Sequence, residues 1–249
     1  KDAYSFDVAY EGLNKSYKSM YDAYCRIFDR CGLDYIVVEA DSGAMGGDVS
    51  HEFMVPSPVG EDVLIRCMKC GYSANRERAE AAPIPREDHA TLQAPKEVLT
   101  PDKHTIQEVS NFLKVQSNQM VKTMIFISNG QPVAVLLRGD HEVNETKLAK
   151  ALGQDAIALA DHSTIENVTG ARVGFAGPMG LKIKIIADQA VTVLCNFVTG
   201  ANKSDTHLLN VNNERDFKID RIADIRYVTK GDKCPKCNAE IDISQGIEI

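Results

Sequence analysis

The sequence predicts an α+β fold in which an antiparallel core is interrupted by an inserted domain of mixed α/β character. Three observations carry this expectation. Two C-x-x-C pairs, Cys67/Cys70 and Cys234/Cys237, stand far apart in the chain, and four thiols at that spacing make the ligand set of a tetrahedral zinc site. If they share one ion, residues 71–233 must leave and return to the same place. The second observation is a Pro-punctuated polar stretch, Ala81-Ala82-Pro83-Ile84-Pro85-Arg86-Glu87 with Ala94-Pro95-Lys96 beyond it, which reads as a linker. The third is a change of pattern across that linker, from one helix followed by strands to helices alternating with strands. The predicted division is a core of residues 1–80 and 216–249, a linker of 81–100 and an insert of 101–215.

In chain order, Leu13, Tyr17, Met20, Tyr21, Tyr24, Ile27 and Phe28 recur at helical spacing, and Gly32 stands where a C-terminal cap belongs, so the spacing predicts one helix over about 11–31. Tyr35–Val38, His51–Val55 and Asp62–Arg66 read as strands, the last leading into the first cysteine pair. Gly71 and Asn238 follow the second cysteine of each pair, where a positive φ is readily adopted. In the insert, Thr105-Ile106-Gln107-Glu108 is a capping box that opens a helix through about Val115. Val121–Ser128 and Pro132–Arg138 are strands flanking Asn129-Gly130, a strong hairpin signal. Asn144 and Ser163 are read as N-caps, Ser163 with Glu166 as a second capping box, and Leu181–Ala187 and Val191–Leu194 as further strands.

Composition narrows the function classes. Of the 249 residues 44% are apolar, enough for a packed core, and 28 Lys and Arg against 35 Asp and Glu give a net charge of −7. A protein whose whole surface attracts nucleic acid is thereby excluded, while a local basic groove is not. There is no uninterrupted apolar run long enough to span a membrane and no secretory leader pattern, so the expectation is a cytoplasmic protein without membrane partners. Seven cysteines, an odd number, speak against a secreted disulfide framework, and Cys25, Cys31 and Cys195 are read as core residues. The chain starts without Met and stops in Gly246-Ile247-Glu248-Ile249, which suggests a piece of something larger.

Several longer motifs, in order, name a family. Lys1-Asp2-Ala3-Tyr4-Ser5-Phe6-Asp7, Ala40-Asp41-Ser42-Gly43-Ala44-Met45-Gly46-Gly47, Ser50-His51-Glu52-Phe53-Met54-Val55, Cys70-Gly71-Tyr72-Ser73-Ala74-Asn75 and Ala223-Asp224-Ile225-Arg226 resemble bacterial-type prolyl-tRNA synthetases. Within the insert, Val121-Lys122-Thr123, Arg138-Gly139-Asp140-His141-Glu142-Val143-Asn144-Glu145 and Gly200-Ala201-Asn202 resemble the editing domain those enzymes carry. The resemblance implies a class II synthetase antiparallel sheet, a proline–tRNA ligase that uses ATP and Mg, hydrolytic editing of mischarged alanyl-tRNA, and a homodimer when full-length. It also implies that the arginines gripping ATP lie outside this chain, so that at most the editing activity is kept here.

The same resemblance nominates residues. For the editing site these are Lys122, facing the phosphate of the tRNA 3′ end; Gly174, Gly177 and Pro178, a loop whose amides could meet an oxyanion; Asp188, suited to the substrate's α-ammonium group or else a helix N-cap; and His207, lining the amino-acid pocket. For the proline pocket they are Gly46, Gly47, Ser50, His51, Glu52 and Phe53, with Glu52 opposite the imino nitrogen. Strand alternation puts His51 and Phe53 on one side and Glu52 on the other. Structural zinc on Cys67, Cys70, Cys234 and Cys237 would staple the two ends of the insert. The reading from another class is a non-catalytic, zinc-stapled module that docks tRNA or aids assembly.

Overall fold

The computed structural model describes residues 4–43, 46–47, 49–85, 91–154 and 156–249. Of the motif and linker residues named above, Lys1–Ala3, Ala44, Met45, Arg86 and Glu87 lie outside the described residues. The chain opens with helix α1, Tyr10–Arg30, closed by Gly32 at φ 67°, where the Leu33 amide bonds back to the Phe28 carbonyl. Strands β1 (Ile36–Glu39), β2 (His51–Pro56), β3 (Asp62–Arg66) and β4 (Ser73–Asn75) follow, close to the positions the alternation predicts. Phe53 on β2 meets Tyr21, Tyr24 and Phe28 of α1 at ring-centroid distances of 5.7, 5.6 and 5.2 Å, which fastens the helix to the sheet.

Next come β5 (Lys96–Leu99), α2 (Ile106–Leu113), β6 (Val121–Ser128), β7 (Gln131–Arg138), α3 (Glu145–Leu152), β8 (Ala158–Leu159), α4 (His162–Thr169), β9 (Lys184–Asp188), α5 (Gln189–Thr192), β10 (Phe197–Gly200), β11 (Thr206–Val211) and β12 (Arg221–Ala223). They build two sheets. One has the order β12-β9-β7-β6-β8 and the other β10-β11-β5. Val121, Ile125, Leu136, Ile185, Phe197, Val211 and Phe217 form the core cluster that draws on both. On the opposite face of the larger sheet, Phe126, Val135, Leu137 and Ile186 pack with Leu148 and Ala151 of α3 and with Ile225. The alternation along β6 therefore sends odd positions to one core and even positions to the other.

The last strand, β13 (Asp242–Glu248), returns to the first group and inserts between β2 and β3, pairing antiparallel with each. The order β1-β2-β13-β3-β4 closes into a barrel through one parallel bridge, Glu39 to Ala74, the single exception to its antiparallel pairing. A strand from the far end of the sequence thus completes a sheet begun before residue 76.

The structure corrects four expectations. Val191–Leu194 is not a strand: α5 occupies Gln189–Thr192, because the Asp188 side chain accepts the Ala190 amide and turns the chain as β9 ends. A four-residue apolar run carries no period of its own. The cap of α4 is Asp161, not Ser163. Asp161 accepts the Thr164 amide at 2.7 Å, and the Ser163 hydroxyl donates to Asp161. The third correction concerns the insert's limits, since β5 pairs with β11 and β12 with β9, so its sheets use strands from the stretches 81–100 and 216–249. Finally, Cys31 is exposed and Cys25 and Cys195 are only partly buried.

Candidate functional site

Four elements of the insert and one loop converge on a cavity of about 180 Å³. Its wall comprises His104 to Ile106 and Val109 at the start of α2, Met120 to Thr123 entering β6, Gly174 and Ala176, and Thr199, Gly200 and His207 from β10 and β11. The α2 end is held by the capping box the sequence predicts: Thr105 accepts the Glu108 amide, and Glu108 accepts the amides of His104 and Thr105.

Of the six residues nominated for editing, Lys122, Gly174 and His207 line this cavity. Lys122 is half-buried, and among the described residues it forms no ion pair. Burial lowers the pKa of its ammonium group, an effect the charges of Glu142 and Asp140 oppose. His207 is 4% exposed and shares a 2.7 Å hydrogen bond through Nδ1 with the Thr100 hydroxyl. Its ring meets Phe175 edge-on at 5.5 Å. Burial brings its pKa down to about 4, against a hydrogen bond to Gly174, so the imidazole is neutral near pH 7.

The other three lie elsewhere. The Gly177 amide is committed to Asn202 Oδ1 at 2.8 Å, and neither Gly177 nor Pro178 reaches the cavity wall. Glycine at 177 answers a different need. A Cβ there would sit 1.8 Å from the Gly200 carbonyl oxygen, so the loop and β10 approach too closely for any side chain. Asp188 is 1% exposed at the end of β9, where it caps α5, accepts the Ile225 amide at 3.1 Å and lies 3.6 Å from the Arg226 guanidinium. Burial pushes its carboxyl up, and the two amides and Arg226 oppose this. It does not line the cavity, and of its two readings the structure shows the N-cap.

His104, Thr100, Thr123, Thr199 and Asn202 join the site without a sequence pattern that nominates them, although Thr123 and Asn202 fall within motifs that carry the family resemblance. Asn202 accepts the Gly177 amide and donates to the Gly177 and Met179 carbonyls, fixing the loop against β10.

A second cavity, of about 250 Å³, lies between α1 and β2. His51, Glu52 and Phe53 line it with Tyr17, Tyr21 and Tyr24. Tyr17 hydroxyl and His51 Nδ1 are 2.9 Å apart, while Glu52 accepts from Asn75 Nδ2 at 3.1 Å on both oxygens. Burial pushes the Glu52 carboxyl up, against the Asn75 hydrogen bond. Gly46, Gly47 and Ser50 are not part of this wall; the Ser50 carbonyl accepts the Ala40 amide instead.

The four paired cysteines do come together. Cys67 and Cys70 flank the turn between β3 and β4, Cys234 and Cys237 the turn before β13, and all four sulfurs lie within 4.8 Å of one another. Sγ to Sγ is 3.4 Å for Cys67 and Cys237 and 3.6 Å for Cys70 and Cys234. Four sulfurs about 2.3 Å from one ion would stand roughly 3.8 Å apart at tetrahedral corners, so this donor set fits a tetrahedral metal. Gly71 at φ 76° and Asn238 at φ 57° adopt the left-handed conformation their turns require.

Residues 100–217 match the aminoacyl-tRNA editing domain family. Over its full length the chain is 54% identical to a proline–tRNA ligase of Thermoanaerobacter sp. (strain X514), 54% to that of Caldicellulosiruptor saccharolyticus and 50% to that of Geobacter metallireducens, covering 100% of this chain and 44% of each relative. The chain thus spans less than half the length of these relatives. Among solved structures, that of the hypothetical protein APE2540 aligns with a TM-score of 0.45 at 21% identity, covering 53% of this chain and 91% of that one. Over its whole length the chain is thus similar to a segment of proline–tRNA ligases, and within that segment it carries a match to the aminoacyl-tRNA editing domain.

Proposed function

We propose that the insert hydrolyses alanine misattached to the tRNA for proline, within a ligase that as a whole attaches proline to that tRNA using ATP and Mg. The observation that carries this reading is one cavity, inside the segment matching the editing family, that joins a half-buried lysine with no ion-pair partner among the described residues to a neutral histidine. A synthetic pocket shaped for proline loses only about 1–3 kcal/mol on the smaller alanine, so a second, smaller sieve is needed.

In the reaction the ester C–O bond breaks. Water delivers hydroxide to the carbonyl carbon and a proton to the ribose oxygen, releasing alanine and uncharged tRNA. Lys122, partly desolvated, favours an anion, and the terminal phosphate of the tRNA supplies one. His207, with Nδ1 engaged by Thr100, serves as a rigid wall that limits side-chain size. Its low pKa makes it a weak base at neutral pH.

The barrel fits a portion of a class II synthetase sheet, and the cavity beside β2 fits one wall of a proline site, with Glu52 available to the imino nitrogen. Zinc on Cys67, Cys70, Cys234 and Cys237 would cross-link the two turns that flank the insert and take no part in the chemistry. Among the described residues no helix is long and apolar enough to cross a membrane; a cytoplasmic, homodimeric ligase is the setting we infer.

The test is deacylation of alanyl-tRNA for proline by the chain. Hydrolysis above the buffer rate, reduced roughly 100-fold by Lys122→Ala, is expected. A rate equal to buffer, with Lys122→Ala indistinguishable, would favour a non-catalytic docking module.

A further inference from the structure

Two threonine hydroxyls in the editing cavity have no partner among the described residues. Thr199, 1% exposed on β10, and Thr123 on β6 both line it, and neither Oγ1 finds a hydrogen bond among the described residues. A buried hydroxyl left unpaired is destabilising, and such groups persist where a ligand completes them. Among the described residues the cavity wall contains no carboxylate side chain, and Asp188 is committed to α5 and Ile225.

The aminoacyl end of the substrate has one functional group that must find hydrogen-bond acceptors, its α-amino group. Lys122 can only donate, and His207 Nδ1 is already engaged with Thr100. His104 is exposed at the rim. The side-chain acceptors left in the buried part of the wall are the two hydroxyls. The ester carbonyl, an acceptor itself, is by contrast served by donors such as Lys122.

We propose that Thr123 and Thr199 accept hydrogen bonds from the α-amino group of the aminoacyl ester, fixing its carbonyl within the cavity. This assignment rests on the editing function proposed above and names the groups that read the amino acid's backbone. His207, backed by the Phe175 ring, limits the side chain. The two hydroxyls would make the site selective for esters of α-amino acids over esters without an amino group.

The experiment compares alanyl-tRNA with propionyl-tRNA, which lacks only the amino group, for the parent chain and for Thr123→Val and Thr199→Val. Each Val variant keeps the side-chain shape and removes the hydroxyl. The expected result is a fall in kcat/KM for the alanyl ester of roughly ten-fold or more, no change for the propionyl ester, and a melting temperature unchanged or raised, because no protein hydrogen bond is lost. Thr199→Ser should retain the preference for the alanyl ester. Val variants that keep the parent's preference would overturn the assignment while leaving editing intact. So would an equal loss on both esters with a lowered melting temperature, which marks a structural role. A parent that hydrolyses neither ester contradicts the editing reading. Binding of a 3′-alanylamido-adenosine analogue then decides the assignment: affinity reduced in both Val variants supports it, and unchanged or absent binding overturns it.

Discussion

Gly177→Ala isolates the reason for glycine in the loop beside the cavity. The new Cβ would lie 1.8 Å from the Gly200 carbonyl oxygen, against the 3.4 Å of ordinary contact, a shortfall of 1.6 Å with backbone on both sides. No rotamer change relieves that clash, so the loop must move off β10. Asn202 resists the movement through three hydrogen bonds of 2.8, 2.9 and 2.8 Å to residues 177 and 179, and its amide donates to the Phe175 carbonyl at 3.0 Å. Giving up two or three of these at about 1 kcal/mol each, with the strain of overpacking at about 1–3 kcal/mol, costs roughly 3–6 kcal/mol. For a chain of this size that lowers the melting temperature by about 10 °C. Because Gly174 and Ala176 of the same loop line the cavity, deacylation should fall about 100-fold as well, as expected for a displacement on the order of 1 Å. Thermal melts and single-turnover deacylation read the two effects. A variant that melts with the parent but loses activity would restore the oxyanion-donor role for Gly177; one equal to the parent in both would refute the close-approach argument.

Two further predictions concern the metal site and acid. Purified chain should contain about one equivalent of zinc, and Cys234→Ser should abolish it and lower the melting temperature by about 10 °C or more, since loss of a metal ranks with the largest single-site effects; elemental analysis with calorimetry decides, and metal-free protein of unchanged stability would remove zinc from the account. His141 and His207 are both held near pKa 4, first by burial, below the ordinary 6.5. As pH falls below 6.5 the unfolded chain binds their protons before the folded chain does, so stability drains away between about pH 6.5 and 4, by about 3 kcal/mol per group. Urea midpoints should therefore drop from pH 7 to pH 5, and His141→Gln should flatten that slope; a parallel slope in the variant would refute the sign or the burial argument for His141, whose two ring nitrogens lack partners among the described residues.

Features written in consecutive residues were legible. Thr105 and Glu108 cap α2 as their spacing implies, Asn129 and Gly130 turn the β6–β7 hairpin at φ 49° and 72°, and the cysteine pairs with Gly71 and Asn238 form two matching turns. Asp161 and Ser163 could both cap, and only the geometry of the first turn chooses between them. For Asp188, ligand and cap use the same oxygen chemistry, so spacing left both open.

The sequence by itself determined the interrupted topology, because two thiol pairs that fit one tetrahedron oblige distant segments to meet, and it supplied the chemical types found in the cavity that Lys122 and His207 line. Which residues share that cavity was decided by the tertiary structure alone. Its wall draws on segments near 104, 122, 175 and 200, brought together by sheet pairing and core packing, and burial then made His207 neutral, left Thr123 and Thr199 without partners among the described residues, and turned Asp188 away to hold a helix. Desolvation and the hydrogen bonds still unmade depend on surrounding atoms that are neighbours in space and not in sequence.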